Sequence, residues 1–250
     1  MAESGVKIKS LAKAIRILEC FMTEPELGVT EISKRLGLNK SNVCDILMTF
    51  QELGYIEQRQ STGKYRLGYR ILELSHALAS SLGFRRTVYP HMKQLAEKVG
   101  ETVYLGIPNG FDVVYLDAAY PGHEYMTRSM LGDRAHMYCT GIGKAILSQM
   151  DPKQWELLLS QPLVAYTAST IVDPDRLRED LRRTRERGYA IDNMEHEHGV
   201  RCVGVPIVNS MGEAVAGMSI SCPSLRLDDD KVALYAKSLQ DIARRVGNFF

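Results

Sequence analysis

Residues 39–49 present an unbroken series of hydrogen-bonding side chains on one side of a segment that is apolar on the other. These side chains belong to Asn39, Lys40, Ser41, Asn42, Asp45 and Thr49. A carboxamide such as Asn42 can bond an adenine in bidentate fashion, and an ammonium such as Lys40 can read guanine or hold a phosphate. Ser41 and the earlier Thr30 can donate hydroxyl hydrogens to phosphate oxygens. The residue types therefore predict a surface that contacts base edges and the DNA backbone.

Three cations follow within a stretch that has the pattern of a β-hairpin. Residues 55–60 and 64–67 have the pattern of two short strands, joined by the turn residues Ser61-Thr62-Gly63. The cations are Arg59, Lys64 and Arg66. Flexible cations on a hairpin can clamp phosphates, and the affinity of such a clamp falls steeply with salt.

Apolar periodicity predicts the elements that position these side chains. One face of a helix at 10–22 carries Leu11, Ala14, Ile15, Leu18 and Phe21. A short helix is expected to begin with Thr30 as its N-cap and to end at the Gly37 turn. A third helix is expected from Asn39 to about Leu53. Three helices followed by a basic hairpin are typical of a winged helix-turn-helix, which places its third helix in the major groove of DNA.

The remainder of the chain has a different pattern. Residues 69–82 predict an amphipathic linker helix, whose wide apolar face packs either on a partner chain or on its own chain. From Phe84 onward helices and strands alternate, which predicts an α+β sensor domain with a mainly antiparallel sheet. The expected strands are 101–107, 112–118, 188–193, 201–208 and 214–221. The expected helices are 84–99, 140–150, 152–160, 174–187 and 228–249. We therefore divide the chain into a winged helix-turn-helix at 8–70, a linker helix at 71–83 and a sensor domain at 84–250.

Composition excludes several classes of protein. The 250 residues are 45% hydrophobic with a net charge of +1, which suits two globular domains. Residues 1–70 carry eleven Lys and Arg against eight Asp and Glu, and this mildly basic head is permissive for DNA binding. The sequence has no long apolar run and no secretory signal, so we expect neither a membrane span nor export. Five scattered cysteines without a C-x-x-C pair suit the reducing cytoplasm and argue against a disulfide framework.

Five blocks of sequence carry a resemblance to a known family. Those of the head are T-E-I-S-K-R-L-G-L-N-K-S-N-V and L-G-Y-I-E…K-Y-R-L-G. Those of the body are Y-C-T-G-I-G-K-A-I-L (138–147), G-Y-A-I-D-N-M-E…G-V-R-C-V-G-V-P-I (188–207) and G-M-S-I-S (217–221). In this order they resemble the IclR family of bacterial transcriptional regulators, along nearly the whole chain.

The resemblance implies a GAF-like effector-binding domain and binding to double-stranded operator DNA as a homodimer or a dimer of dimers. It also implies control, more often repression, of a neighbouring catabolic operon by a small organic acid. The effector-binding residues that it implies are Gly141, Ile142, Asp192, Cys202, Ser219 and Ser221. One position departs from the family, because many relatives have Arg where this chain has Asp45. An Asp repels phosphate but can accept from cytosine N4, so we expect an altered operator sequence.

The implied pocket has a chemical logic of its own. Residues 140–143 lie where a helix is expected to begin, and the N–H groups of a first helical turn favour an anion. Ser219 and Ser221 share one face of a strand and can direct two hydroxyl groups to one point. Cys202 supplies a small polarisable wall, and Asp192 is an acceptor suited to a hydroxyl group of the ligand.

Three alternatives remain open at this stage. In residues 195–198 (E-H-E-H), His196 and His198 can point the same way and hold a transition metal, although a solvated loop is the commoner case. Cys202, His198 and Asp192 can be imagined as nucleophile, base and orienting group of an enzyme that processes small acids, although a buried inert Cys is commoner. The third alternative is a DNA-binding protein with no ligand. We expect no enzyme activity, no metal and no cofactor.

Overall fold

The computed structural model describes residues 6–81, 83–122 and 130–249, with the side chains of 79–81 left out of the description. The chain forms two compact units, Met1–Leu82 and Gly83–Phe250. Among the described residues, no helix combines the length and the apolar character needed to cross a membrane.

The first unit has the order of a winged helix-turn-helix, as predicted. Its elements are α1 (Lys9–Cys20), α2 (Val29–Leu36), α3 (Lys40–Glu52), β1 (Ile56–Gln58), β2 (Tyr65–Leu67) and α4 (Arg70–Ser81). Strands β1 and β2 pair in antiparallel register, and the turn between them contains Gly63 at φ +66°. Gly37 ends α2 at φ +65° in the left-handed region, as the turn prediction requires. Val43 and Leu47 of α3 pack with Ile17 and Ile32 in one apolar core.

Two local predictions for this unit are wrong. The buried side of α1 carries Ile17 and Cys20; of the predicted face Phe21 is buried, whereas Leu11 and Ile15 are exposed. Gly28, not Thr30, is the N-cap residue of α2. The Glu31 carboxylate accepts the Gly28 N–H at 2.6 Å, so the helix start is fixed by an acid in its first turn rather than by a hydroxyl N-cap.

The second unit is a six-stranded antiparallel sheet with helices on both faces. Its strands are β3 (Thr102–Asn109), β4 (Asp112–Ala119), β5 (Arg134–His136), β6 (Ala190–Asn193), β7 (Val200–Val208) and β8 (Ala214–Pro223). Its α-helices are α5 (Phe84–Val99), α6 (Gly141–Gln149), α7 (Pro152–Leu159), α8 (Pro174–Arg187) and α9 (Asp229–Val246). The strand order is β5-β4-β3-β8-β7-β6.

Two apolar cores fill this unit, one on each face of the sheet. Helices α5 and α9 pack on one face, and α6, α7 and α8 belong to the core on the other. The predicted α+β architecture is confirmed, but β5 was not predicted. Three residues are too few to show a periodic pattern, and β5 depends on its pairing with β4. The predicted linker face includes Ala79 and Leu82, whose side chains lie outside the described residues.

Candidate functional site

The exposed face of α3 carries the polar residues that were predicted to read DNA. Lys40, Ser41 and Asn42 occupy the first turn of the helix and are exposed. Asp45 and Thr49 follow on the exposed surface, and the Thr49 hydroxyl donates to the main-chain oxygen of Asp45 at 2.8 Å. The predicted base-reading residues therefore share one solvent-facing surface.

Thr30 is exposed near the start of α2, so its hydroxyl is open to solvent. The Lys40 ammonium group forms no ion pair with another described residue. An exposed hydroxyl and an unpaired cation are both available to DNA phosphates.

The cations of the hairpin are not free, contrary to the picture of a flexible clamp. Arg59 Nε lies 3.1 Å from Glu26 Oε1, and Arg66 Nη2 lies 2.8 Å from Glu57 Oε2. Lys64 bonds Glu31 at 2.9 Å, and this hydrogen bond raises the pKa of the Lys64 ammonium. All three pairs are solvent-exposed, and pairs of this kind are held only weakly. DNA phosphates can therefore take the place of the carboxylates.

A cavity of about 480 Å³ lies in the second unit. Five of the six predicted effector-binding residues line it together: Gly141, Asp192, Cys202, Ser219 and Ser221. Sheet register explains why these residues meet, because Asp192 of β6 pairs with Cys202 of β7, which pairs with Ser221 of β8. Ser219 lies two residues along the same strand and so faces the same side of the sheet.

The beginning of α6 forms another wall of the cavity. Thr140 is its N-cap, and the Thr140 hydroxyl accepts the Gly143 N–H at 3.1 Å. The other N–H groups of a first helical turn have no partner within the helix. Gly204 of β7 allows the helix to approach the sheet, since a Cβ atom there would lie 2.2 Å from the Gly141 main-chain oxygen. Ile142, the sixth predicted residue, is 1% exposed and belongs to an apolar core.

Asp192 is the most strongly perturbed acid of the cavity. Its side chain is 3% exposed, and Oδ1 accepts the Glu195 main-chain N–H at 2.7 Å. Burial, with a further contribution from the Glu195 charge, raises the pKa of Asp192 to about 7. Near neutral pH this carboxyl is therefore present both as an acceptor and, when protonated, as a donor.

The aromatic and cationic walls of the cavity were not predicted from the sequence. Tyr104 and Tyr115 both line the cavity, and their rings meet edge to face with centroids 5.5 Å apart. Arg134 lines the same cavity, is exposed, and has no ion pair to another described residue. The two tyrosines resemble ordinary core residues in the sequence, because only the β4-β3-β8 strand order brings them beside Ser219.

The metal and enzyme alternatives gain no support from the described residues. No group of three His, Cys, Asp or Glu among them could hold a metal ion. His196 lines the cavity, whereas His198 does not. Burial raises the pKa of the Cys202 thiol well above its usual value, and this thiol donates to the Ser221 hydroxyl at 3.3 Å. Cys202 is thus a poor nucleophile.

Comparisons with known proteins agree with both units. The IclR helix-turn-helix domain model matches residues 10–60, and the model of the C-terminal part of IclR bacterial transcriptional regulators matches residues 76–248. The chain is 34% identical over 235 residues to the HTH-type transcriptional regulator XynR of Escherichia coli strain K12, covering 93% of each chain. It is 30% identical to the transcriptional repressor IclR of the same strain, covering 96% of this chain and 89% of the relative.

A solved structure of an IclR homologue from Microbacterium hydrocarbonoxydans, complexed with 4-hydroxybenzoate, has a similar fold. Its TM-score is 0.83 at 24% identity, with coverage of 96% of this chain and 98% of that one. The winged helix-turn-helix and the second unit with its cavity define a DNA-binding transcriptional regulator. The chain belongs to the IclR family.

Proposed function

We propose that a small carboxylate binds in the cavity of the second unit and thereby controls the affinity of the first unit for an operator. The observation that carries this proposal is the convergence of the α6 N-terminus with the hydroxyl groups of Ser219 and Ser221 on one cavity. Main-chain N–H groups at a helix start and neutral hydroxyl groups are suitable donors for an anion. The structure of the homologue complexed with 4-hydroxybenzoate, a small aromatic carboxylate, supports a carboxylate as the ligand.

Asp192 and the two tyrosines of the cavity indicate which other chemical groups the ligand carries besides its carboxylate. In its ionised form Asp192 accepts from a ligand hydroxyl, and in its protonated form it donates to a carboxylate oxygen. The Tyr104 and Tyr115 rings supply an apolar surface for the rest of the molecule. Arg134, at the exposed side of the cavity, offers a cation to a second polar group. An acid that also carries a hydroxyl group fits this arrangement best.

On the DNA side, we propose that α3 enters the major groove and that Asn42 and Asp45 contact base edges. Lys40, Ser41 and Thr30 hold phosphates there, together with the hairpin cations. A homodimer or dimer of dimers binds half-sites that are one helical turn or a multiple of it apart.

Repression is the proposed mode of control, because the similar protein IclR of Escherichia coli is a transcriptional repressor. The protein would act in the cytoplasm, without enzyme activity.

Coupling between the units requires only a modest energy difference. An effector that favours one arrangement of the two α4 helices of a dimer by a few kcal/mol changes operator occupancy substantially. Leu72 of α4 is exposed and can take part in such a helix pair. A catabolic operon next to the gene is the expected target.

The test is a panel of small acids, with and without a hydroxyl group, in two assays. Trp155, the one tryptophan of the chain, is buried in the second unit, so its fluorescence follows the melting of the unit that holds the cavity. An acid that binds should raise this melting temperature and change the affinity for DNA taken from upstream of neighbouring genes. The variant Ser219→Ala/Ser221→Ala should lose both effects and keep its DNA binding. A panel in which no acid has either effect would favour a ligand-independent DNA-binding protein.

A further inference from the structure

Lys144 is a fully buried cation that the sequence did not mark as functional. It follows Gly143 in α6 and is 0% exposed. Its Nζ atom lies 2.6 Å from Glu195 Oε1 and 2.8 Å from Asp180 Oδ2 of α8. A buried charge is tolerated only with close partners of opposite sign. The side chain therefore ties α6 both to α8 and to the turn that follows β6.

Glu195 connects this ion pair to the effector cavity. Its side chain bonds Lys144, while its main-chain N–H donates to Asp192 Oδ1 at 2.7 Å. Its main-chain oxygen accepts the Thr170 hydroxyl at 2.6 Å. The preceding residue, Met194, has φ +61°, which is the one positive φ of a residue other than Gly in the described chain. A backbone shape of this kind persists only where its surroundings hold it.

We propose that Lys144 is a positioning residue of the effector cavity, which acts through Glu195 to hold the Asp192 carboxyl in place. The proposal rests on the proposed function, since it concerns the same cavity. Without the Lys144 charge, the buried Glu195 carboxylate loses its counter-ion. Among the described residues its second oxygen, Oε2, is buried with no hydrogen-bond partner, so the carboxylate must then turn toward water to stay ionised. Turning would move the N–H group that bonds Asp192.

Charge gives this arrangement a signature that a purely structural lysine would lack. The Glu195 charge raises the pKa of Asp192, and the Lys144 charge lowers it. Loss of one charge should therefore shift the titration of Asp192 in the opposite direction from loss of the other. The titratable and charged groups that face Asp192 or share its cavity are Tyr104 (β3), Tyr115 (β4), Asp133, Arg134 (β5), Cys139, Lys144 (α6), Glu195, His196, Glu197 and Cys202 (β7).

The experiment follows the Asp192 carboxyl by ¹³C NMR in the full chain without any ligand, with Asp192→Asn to assign its signal. In Lys144→Met the titration midpoint should rise by about one pH unit, and in Glu195→Gln it should fall by a similar amount, the usual size of the effect of a neighbouring charge. Amide hydrogen exchange of residues 193–196 should accelerate in Lys144→Met alone. The glutamine side chain of Glu195→Gln keeps an oxygen that can accept from Lys144, so the turn should stay protected in that variant. Lys153→Met, which removes an exposed lysine of α7, should change neither readout.

Midpoints that stay in place, or that move in the same direction in both variants, would overturn the proposal. If Lys144→Met does not fold, Glu195→Gln retains the Lys144–Asp180 pair and decides the question alone, because an unmoved midpoint there contradicts the proposal. The double variant Lys144→Met/Glu195→Gln should return the midpoint toward that of the natural protein. Because no ligand is present, a panel of acids that finds no effector would contradict the proposed function and leave this result unaffected.

Discussion

Asp192→Asn should make the second unit more stable above neutral pH, although it removes a residue of the proposed effector site. Burial raises the pKa of Asp192 from 3.8 to about 7 in the folded protein. Between these pH values the folded state keeps a proton that the unfolded state has released, so the free energy of unfolding falls as pH rises. The difference of about 3 pH units corresponds to about 4 kcal/mol, lost between about pH 4 and pH 7. The asparagine side chain of the variant has no charge to bury and can still accept the Glu195 N–H, so the variant avoids this loss.

Urea unfolding followed by Trp155 fluorescence at a series of pH values measures the effect, because Trp155 reports on the second unit. The stability advantage of Asp192→Asn over the natural protein should widen by about 1.4 kcal/mol per pH unit from pH 5 to pH 7 and then stay constant. An advantage that does not change with pH would show that Asp192 is not protonated in the folded protein near neutral pH. The physical account of the cavity would then be refuted.

Three further predictions concern the DNA-reading surface and the packing of α6. Lys64→Met should weaken operator binding and reduce the slope of log affinity against log salt by about 1, as measured by fluorescence anisotropy. The control Lys237→Met, on an exposed part of α9, should change neither quantity. An equal effect of both substitutions would argue against a phosphate contact of Lys64. Asp45→Arg should change the operator sequence preferred in a binding selection, and an unchanged preference would count against base reading. Gly204→Ala places a Cβ atom 2.2 Å from a main-chain oxygen of α6, so it should destabilise the second unit by about 1–3 kcal/mol and weaken effector binding. Gly83→Ala, where a Cβ meets nothing within 4 Å, is its control and should melt like the natural protein; equal losses in both would contradict the close approach.

Much of the fold could be predicted because local signals agree with it. Gly37 and Gly63 occupy positive φ angles where turns were expected, and apolar periodicity located the helices. The buried side of α1 could not be predicted in the same way. Leu11 and Ile15 have the helical spacing of a core face and yet are exposed. Periodicity alone does not reveal which apolar side chains meet a partner within the unit.

The cavity was only partly predictable, for a similar reason. The motifs of the resemblance led to Ser219 and Ser221, whose common face follows from strand geometry alone. Tyr104 reaches the cavity through the pairing of β3 with β8, and no local pattern specifies that pairing. Lys144 appears in the sequence as a polar residue of a helix, and its complete burial depends on carboxylates 36 and 51 positions further along the chain.

The most direct test of the central claim measures operator affinity with and without the small acid that most raises the melting temperature of the second unit. The natural protein and Ser219→Ala/Ser221→Ala are compared by fluorescence anisotropy on the same operator. We predict that the acid changes the affinity of the natural protein at least tenfold and leaves that of the double variant unchanged. An acid that stabilises the second unit but leaves operator affinity the same in both proteins would contradict control of DNA binding through this cavity.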